Sequence, residues 1–270
     1  MHHRRLGQGP ALLLLHGLGS SINGWAPLLP LLESHFTLYV PDLPGFGRSP
    51  APEGGTRFGA LVEAVERFQD EHALRGAAVA GFSMGGQLAL ELLRRGRTGP
   101  VAALAPGGFW MGWERAWIAG NVGMGLTLVR AVKPLLPPIA ALPATRSLLF
   151  AQFCARPWAA PGAVALEEAR NEADSPGTDP MLIELATAPM QAGLAPGQPL
   201  PAPLTLIWGR EDRVTLPAQA ARAQAAFPGS RLHWVERAGH YIHWDQPATA
   251  AALVRQACGA RLRLVAPEAA

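Results

Sequence analysis

The sequence predicts an α/β protein, in which a mostly parallel sheet is covered by helices on both faces. Short segments composed almost entirely of apolar residues alternate with longer segments whose apolar residues recur at helical spacing. Continuous apolar strands are typical of parallel sheets, because helices pack against both faces and leave neither exposed to water. The chain has 270 residues, of which 49% are hydrophobic, and is therefore long enough to bury a large core.

The apolar segments are predicted as strands and the amphipathic segments as helices. The predicted strands cover residues 11–15, 36–40, 77–82, 101–104, 204–208 and 232–235. The predicted helices cover residues 23–32, 58–68, 87–95, 217–226 and 247–258. Strands and helices alternate through the first part of the chain and again near its end, as expected for one doubly covered sheet.

The region between these two parts has a different composition. Residues 107–196 contain helical patterns that are interrupted by prolines, and no convincing strand. The aromatic residues of this region are Phe109, Trp110, Trp113, Trp117, Phe150, Phe153 and Trp158. We therefore predict a core domain formed by residues 1–106 and 197–270. Residues 107–196 are predicted to form an inserted helical cap, or lid, whose aromatic side chains cover an apolar pocket.

The charge and the cysteine content argue against several partners and cofactors. The formal net charge of +3 comes from scattered arginines and a single lysine, Lys133, and no basic cluster with interleaved aromatic residues indicates nucleic-acid binding. Cys154 and Cys258 are too few for a disulfide framework and lack the spacing of metal ligands. We therefore expect no nucleic-acid partner, no metal and no cofactor.

No segment has the composition of a signal peptide or a membrane span. The apolar run at residues 11–15 is short and ends in His16-Gly17. The most apolar later region, residues 117–132, contains Asn121, Arg130 and several glycines. We therefore expect a cytoplasmic protein without stable membrane insertion, and the sequence indicates no particular oligomeric state.

The segment from Gly81 to Gly85 lies between a predicted strand and a predicted helix. It has the Gly-x-Ser-x-Gly pattern of a sharp strand-to-helix turn, which holds a serine hydroxyl in a strained and accessible position. The same turn places Ser83 at a helix N-terminus, where unpaired backbone N–H groups favour developing negative charge. Ser83 is thus the candidate nucleophile; the alternative is a serine in an ordinary capping loop.

A serine nucleophile requires a base that removes its proton and a carboxylate that orients this base. Asp212 follows the predicted strand at residues 204–208, and His240 follows the strand at residues 232–235. Because functional groups of open α/β sheets lie beyond the carboxyl ends of the strands, we expect both side chains near Ser83. The chain order Ser, Asp, His is the order of an α/β-hydrolase.

Several motifs together resemble those of the α/β-hydrolase superfamily, in particular its serine esterase and lipase-like members with a helical cap. The motifs are His16-Gly17, Asp42-Leu43-Pro44-Gly45-Phe46-Gly47-Arg48-Ser49, Gly81-Phe82-Ser83-Met84-Gly85-Gly86, Gly209-Arg210-Glu211-Asp212 and Gly239-His240. The resemblance extends from about residue 10 to residue 258, apart from the insertion, which lies where the family has its cap. It implies the α/β-hydrolase fold. The sheet is expected to be shortened, because the chain has no room for the two additional N-terminal strands of larger members.

The resemblance also implies roles for individual residues. Ser83 would be the nucleophile, His240 the general base and acid, and Asp212 the carboxylate that orients the histidine. The backbone N–H groups of Leu18 and Met84 would form the oxyanion hole. The candidate residues of the substrate pocket are His16, Gly17, Phe82, Trp110 and Tyr241.

Some polar residues near these motifs have competing interpretations. Glu211 adjoins Asp212, but the Gly-x-x-Asp spacing of the family favours Asp212 as the orienting acid. His16 is expected mainly to shape the loop beneath the oxyanion turn. His233 and His243 are expected to be surface or partly buried structural residues.

The predicted reaction is the hydrolysis of small apolar esters through an acyl-serine intermediate, with a small-to-medium acyl or alcohol group. The resemblance excludes the branches with an aspartate nucleophile, because position 83 is a serine. A carbon–carbon bond hydrolase of aromatic ring-fission products is an alternative, although Tyr241 occupies a position where those enzymes usually have tryptophan. A cofactor-free perhydrolase and a non-catalytic small-molecule receptor on the same fold are further alternatives.

Overall fold

The computed structural model describes residues 1–259, which form a seven-stranded sheet and the helices around it. The strands are β1 (His3–Leu6), β2 (Ala11–Leu15), β3 (Thr37–Pro41), β4 (Ala78–Phe82), β5 (Val101–Leu104), β6 (Leu204–Gly209) and β7 (Arg231–Val235). The helices are α1 (Leu29–Leu32), α2 (Phe58–Glu71), α3 (Met84–Arg94), α4 (Trp113–Ala131), α5 (Leu136–Ala141), α6 (Pro143–Phe150), α7 (Gly162–Asp174), α8 (Thr178–Thr187), α9 (Ala218–Ala226), α10 (Ile242–Asp245) and α11 (Pro247–Cys258). Residues 260–270, which the predicted core domain includes, lie outside the described residues.

The sheet is parallel except at one edge. Its strand order is β1-β3-β2-β4-β5-β6-β7, and each neighbouring pair from β3 to β7 is parallel. β1 pairs with β3 in the antiparallel direction, with Leu6 opposite Leu38. At the centre of the sheet, Val79 of β4 lies opposite Leu13 of β2 and Val101 of β5. The predicted α/β class, with a mostly parallel sheet and an inserted helical segment, is confirmed.

Helices cover both faces of the sheet, because successive side chains of a strand point to opposite sides. In β2, Leu12 and Leu14 pack in the same core cluster as residues of α1 and α11. Leu13 and Leu15 pack in the other cluster, with residues of α2, α3 and α9. All four leucines are fully buried, which explains why this strand is apolar without interruption.

Two local features differ from the sequence-based expectation. The N-terminal segment provides one strand, β1, although no strand was expected before residue 11; its arginines, Arg4 and Arg5, are exposed at the sheet edge and give no apolar pattern. The predicted helix at residues 23–32 is instead a 3₁₀ turn (Ile22–Trp25) followed by the short helix α1. Pro27 and Pro30 interrupt this segment, because proline lacks the N–H that a continuous helix requires.

The stretch between β5 and β6 forms helices α4 to α8 and contains no strand. Lys133, the only lysine of the chain, pairs with Asp174 at the end of α7. Several large apolar side chains of this stretch are exposed, including Trp113 and Met124 of α4. Within residues 1–259, no helix is both long and apolar enough to cross a membrane.

Candidate active site

Ser83 lies in the turn between β4 and α3, at the carboxyl edge of the sheet. Its φ of 55° and ψ of −116° form a conformation that residues other than glycine rarely adopt. Hydrogen bonds hold the backbone in place. The Ser83 N–H donates to the carbonyl of Leu104 at 2.9 Å, and the Ser83 carbonyl accepts the N–H of Gln87 at 2.9 Å.

The glycines on both sides of Ser83 are required by close backbone contacts. A Cβ atom at position 81 would lie 2.1 Å from the carbonyl oxygen of Gly85. A Cβ atom at position 85 would lie 2.1 Å from the carbonyl oxygen of Leu15, in the neighbouring strand β2. Only glycine at positions 81 and 85 therefore allows α3 to begin so close to the sheet.

His240 lies in the loop after β7, with its ring beside the serine. Its Nε2 atom is 3.0 Å from Oγ of Ser83. The loop is fixed by the buried carboxylate of Asp245, which accepts the backbone N–H of Gly239 at 2.8 Å. The same carboxylate accepts the backbone N–H groups of residues 155 and 156 at 2.8 Å, and so ties the histidine loop to the inserted helical segment.

Asp212 is buried in the loop after β6 and contacts the other side of the histidine ring. Its Oδ2 atom lies 2.9 Å from Nδ1 of His240 and accepts the hydroxyl of Thr215 at 2.7 Å. Its Oδ1 atom accepts the backbone N–H groups of Val214 and Thr215 at 2.8 and 2.9 Å. With Nδ1–H donating to Asp212, the Nε2 atom of His240 is free to accept the proton of the Ser83 hydroxyl.

Two backbone N–H groups beside Ser83 are available to a negatively charged oxygen. Leu18 and Met84 line the same cavity as Ser83. Met84 is the first residue of α3, so its N–H has no acceptor within the helix. In the part of the chain that the structure describes, neither of these two N–H groups donates a hydrogen bond. Among the described residues, two that line the cavity thus have unpaired backbone N–H groups.

The cavity next to Ser83 is mostly apolar. Three of the predicted pocket residues, Phe82, Trp110 and Tyr241, line it. The inserted helical segment contributes most of the remaining apolar wall, through Ile118, Val122, Phe153, Leu182 and Leu185. The site therefore combines a reactive hydroxyl with walls that suit an apolar group of a ligand.

The other two predicted pocket residues, His16 and Gly17, do not line this cavity. The His16 ring is buried, and its Nδ1–H donates to the carbonyl of Gly17 at 2.8 Å. Its Nε2 accepts the backbone N–H of Leu43 at 2.9 Å, and burial lowers the pKa of His16, in agreement with a neutral ring. A Cβ atom on Gly17 would lie 3.0 Å from the ring of Phe82. His16 therefore shapes the loop, and Gly17 provides space for that ring.

Three polar residues of the site were not predicted. Thr215 follows Asp212 at the spacing of a local side-chain to backbone turn, which was the only signal for it in the sequence. Glu168 and Glu172 are buried one turn apart on α7, and the hydroxyl of Tyr241 donates to Oε1 of Glu168 at 2.9 Å. Burial raises the pKa of Glu168 to about 7. Burial and the charge of Glu168 raise the pKa of Glu172 to about 8.

His243 differs from the expectation of a surface or partly buried residue, because it is fully buried. Its ring centroid lies 4.6 Å from that of Phe82 and 5.6 Å from that of Tyr241. Burial, together with the charge of His240, lowers the pKa of His243 to about 3. His233, on β7, is half-buried, as expected.

The described residues show no cluster of metal ligands. Within residues 1–259, no group of three or more His, Cys, Asp or Glu side chains is arranged to hold a metal ion. Cys154 and Cys258 are free and buried, and burial raises the pKa of the Cys258 thiol to about 12. Both thiols therefore belong to the apolar core.

The fold and this site define an α/β hydrolase, and the chain belongs to the alpha/beta hydrolase family, whose sequence model matches residues 12–253. It is similar to the dihydrolipoyllysine-residue acetyltransferase component of the acetoin cleaving system of Cupriavidus necator, with 27% identity over 264 residues. That match covers 95% of this chain and 65% of the relative, so the chain spans less than two thirds of that protein.

Two further similarities cover most of both chains. The 2-hydroxy-6-oxo-6-phenylhexa-2,4-dienoate hydrolase of Burkholderia cepacia is 24% identical over 257 residues, which are 91% of this chain and 86% of that protein. Among solved structures, a malate-bound thermophilic esterase from Thermogutta terrifontis superposes with a TM-score of 0.74 and 22% identity. The superposition covers 94% of this chain and 91% of that one, and shows the shared fold.

Proposed function

We propose that this protein hydrolyses carboxylic esters that carry an apolar small-to-medium acyl or alcohol group. The hydrogen-bonded chain Ser83–His240–Asp212, with distances of 3.0 and 2.9 Å, is the observation that carries the proposal. Its position at an apolar cavity, beside the free N–H groups of Leu18 and Met84, supports acyl chemistry. The similarity to an esterase in fold agrees with this choice.

In the proposed mechanism, His240 accepts the proton of Ser83 while the serine oxygen attacks the ester carbonyl. The N–H groups of Leu18 and Met84 stabilise the negative oxygen of the tetrahedral intermediate; one such donor typically contributes about 3 kcal/mol. His240 then donates its proton to the departing alcohol, which leaves the acyl group on Ser83. A water molecule deprotonated by His240 attacks this acyl-serine and releases the acid.

We further propose that residues 107–196 act as the cap of this site and residues 1–106 and 197–270 as its core. The cap supplies the apolar wall that faces the acyl or alcohol group. It is fastened to the histidine loop by Asp245 and by the Tyr241 N–H, which donates to the carbonyl of Phe153 at 2.9 Å. The position of the cap and the position of the base are therefore coupled.

A carbon–carbon bond hydrolase is the second candidate, and the similarity to the Burkholderia cepacia hydrolase supports it. The residue after His240 is Tyr241, whose hydroxyl donates to Glu168, and not the tryptophan that those enzymes usually have there. This difference favours the esterase proposal. A cofactor-free perhydrolase would use the same acyl-serine, with hydrogen peroxide in place of water.

A substrate panel tests the choice among these reactions. We expect turnover of 4-nitrophenyl esters with neutral acyl chains of short to medium length, and much lower kcat/KM for esters with a carboxylate in the acyl chain. A vinylogous diketone in the same panel would be cleaved only by a carbon–carbon hydrolase. When hydrogen peroxide is added, attack on the acyl-serine by peroxide instead of water would report perhydrolysis. Exclusive turnover of the diketone would overturn the esterase proposal.

Active-site labelling distinguishes an enzyme from a receptor on the same fold. A fluorophosphonate should modify Ser83, as mapped by peptide mass spectrometry, and should abolish ester turnover in proportion to labelling. A non-catalytic receptor would be acylated once by 4-nitrophenyl esters and would then release no further nitrophenol. Sustained nitrophenol release after the first turnover would exclude that alternative.

A further inference from the structure

Two acidic residues of the cap are buried near the cavity beside Ser83, and one of them, Glu172, lines it. Glu168 and Glu172 are 1% and 8% exposed. They lie above the turn that carries Leu18, one of the proposed oxyanion-hole residues. A Cβ atom at Gly19 in this turn would lie 3.3 Å from Cα and Cγ of Glu172, so the glycine allows α7 to rest directly on the turn.

The two carboxyl groups differ in their partners. Oε1 of Glu168 accepts the hydroxyl of Tyr241, and Oε2 has no hydrogen-bond partner within residues 1–259. Glu172 lines the cavity, and its carboxyl group has no hydrogen-bond partner within residues 1–259. The charges that act on it are those of Glu168, on the same helix, and Arg130, on α4.

No basic side chain of the described residues neutralises Glu172. The Arg130 guanidinium is engaged elsewhere, with the carboxylate of Asp179 at 3.0 Å and the carbonyl of Ala173 at 3.3 Å. Glu172 lines the cavity, so a ligand there can supply the hydrogen bond that its carboxyl group lacks. When Glu172 is ionised, its carboxylate can pair only with a hydrogen-bond donor.

The surroundings of Glu172 favour a positively charged donor. The second carboxyl group, that of Glu168, lies one helical turn away and adds negative potential when ionised. The cavity walls include the aromatic rings of Phe82, Trp110 and Tyr241, whose faces attract cations. An anionic ligand would be repelled by the same carboxyl groups when they are ionised.

We propose, on the basis of the esterase function proposed above, that Glu172 binds a protonated amine carried by the apolar acyl or alcohol group of the substrate. Glu172 is then a specificity-determining residue: the apolar chain contacts the cavity walls, and the ammonium group pairs with the carboxylate. Because burial keeps Glu172 largely protonated at neutral pH, binding of an ammonium group releases a proton.

A binding experiment tests this inference without any chemical step. Hexylammonium and 1-hexanol are titrated by calorimetry into the wild-type protein and into the Glu172→Gln variant. We expect the wild-type protein to bind hexylammonium at least ~10-fold more tightly than hexanol, since a buried charge pair outweighs a neutral hydrogen bond. We expect this preference to disappear in Glu172→Gln. Two buffers with different ionisation enthalpies should reveal the released proton in the wild-type protein alone.

A matched control distinguishes the position of Glu172 from the general effect of a Glu→Gln substitution on α7. Glu167→Gln is the same substitution on the same helix, at a half-exposed position where the side chain pairs with Arg170. This variant should keep the wild-type preference for the amine. Equal preferences in the wild-type and Glu172→Gln proteins, or an equal loss in Glu167→Gln, would overturn the inference.

Ester kinetics extend the test to the substrate. The 4-nitrophenyl esters of heptanoic, 6-aminohexanoic and 6-hydroxyhexanoic acid have acyl chains of similar length. We expect kcat/KM to be highest for the amino ester in the wild-type protein, and the amino-to-alkyl ratio to fall at least ~10-fold in Glu172→Gln. A hydroxy ester that matches or exceeds the amino ester would overturn the assignment of an amine.

The outcomes separate the two proposals. If no ester is hydrolysed, the esterase proposal fails, and the calorimetric comparison still decides the role of Glu172. If Glu172→Gln does not fold, as judged by circular dichroism, Glu172→Asp replaces it. The shorter side chain keeps the carboxylate and should move the preference toward an amine on a chain longer by one methylene. If Glu172→Asp kept the wild-type preference for chain length, this result would count against direct contact between residue 172 and the amine.

Discussion

The backbone of Ser83 is strained, and the surrounding hydrogen bonds hold it in that state. The φ of Ser83 is 55°, and such a conformation in a residue other than glycine costs about 1–3 kcal/mol of free energy relative to a relaxed backbone. The Ser83 N–H donates to the carbonyl of Leu104, and the Ser83 carbonyl accepts the N–H of Gln87; these two hydrogen bonds help to offset this cost, and the hydroxyl lies 3.0 Å from His240. The strained backbone therefore holds the hydroxyl beside the ring of His240.

Replacement of Ser83 by alanine should remove the proposed nucleophile and leave the fold intact. Alanine lacks only the hydroxyl, so the turn keeps its backbone hydrogen bonds. If Ser83 is the nucleophile as proposed, kcat for a 4-nitrophenyl ester should fall roughly 10⁴- to 10⁶-fold. Circular dichroism should give the wild-type spectrum. A variant that retains a tenth of the wild-type rate would exclude Ser83 as the nucleophile.

Thr215 should contribute to catalysis by holding Asp212 in position. In Thr215→Val the carboxylate loses the hydroxyl donor at 2.7 Å but keeps two backbone donors and His240. A hydrogen bond to a charged group contributes about 1.5–3 kcal/mol, so we expect kcat to decrease about 10-fold or more, with KM nearly unchanged. Thr215→Ser keeps the hydroxyl and should restore most of the rate. Equal decreases in kcat in Thr215→Val and Thr215→Ser would indicate that Thr215 acts through packing and not through its hydroxyl.

At the residue scale, the sequence predicted what depends on local motifs and missed what depends on packing between distant segments. Ser83, Asp212 and His240 each follow a strand, and parallel strands bring these positions to one edge. Glu172 reaches the cavity only because α7 rests on the turn at Gly19. No local pattern in the sequence fixes that contact.

The turn between β4 and α3 depends on the absence of side chains at its glycines. In Gly85→Ala the new Cβ atom would lie 2.1 Å from the carbonyl oxygen of Leu15, so α3 must shift away from β2. We expect a decrease in the free energy of unfolding of roughly 3 kcal/mol or more, together with loss of ester turnover. Urea denaturation measures the first effect.

Gly59 of α2 provides the matched control for this substitution. It is exposed, and a Cβ atom there would contact nothing within 4 Å. Gly59→Ala should raise the free energy of unfolding by about 0.5–1 kcal/mol, because alanine restricts the unfolded chain and favours the helix. A stable Gly85→Ala protein with wild-type turnover would show that the turn tolerates a side chain.

At the element scale, burial on both faces explains which strands were predictable. The central strands are apolar throughout, so their positions follow from composition alone. β1 lies at the sheet edge with two exposed arginines, and its pairing with β3 is visible only in three dimensions. Near residues 23–32 a continuous helix was expected from the apolar periodicity, but the prolines determine where the helical segments begin and end.

Buried ionisable groups should make the stability of the whole molecule depend on pH. The folded state keeps Glu168 and Glu172 protonated up to pKa values of about 7 and 8, whereas the unfolded chain releases these protons near pH 4.5. The free energy of unfolding should therefore decrease as pH rises from about 5 to 8, by up to about 1.4 kcal/mol per pH unit for each group.

His243 contributes a slope of the opposite sign, which opposes that of the two glutamates between about pH 4.5 and 6.5. His243, with a pKa of about 3 in the folded state, is protonated near pH 6.5 on unfolding, so it contributes stability that is lost as pH falls below 6.5. Urea denaturation between pH 4 and 8.5 measures both effects. Glu172→Gln should flatten the alkaline decrease, and Glu167→Gln should not. Parallel profiles for the wild-type and Glu172→Gln proteins would contradict the buried-acid assignment.

Lys133 is the only lysine, and its amine pairs with Asp174 at the end of α7. Both side chains are about half exposed, so the pair contributes little to stability and the amine is open to reagents. Apart from the α-amino group, a succinimidyl dye would thus attach at one place in the molecule, close to the helix that covers the catalytic cavity. Its fluorescence would report displacement of that helix when a ligand enters or leaves.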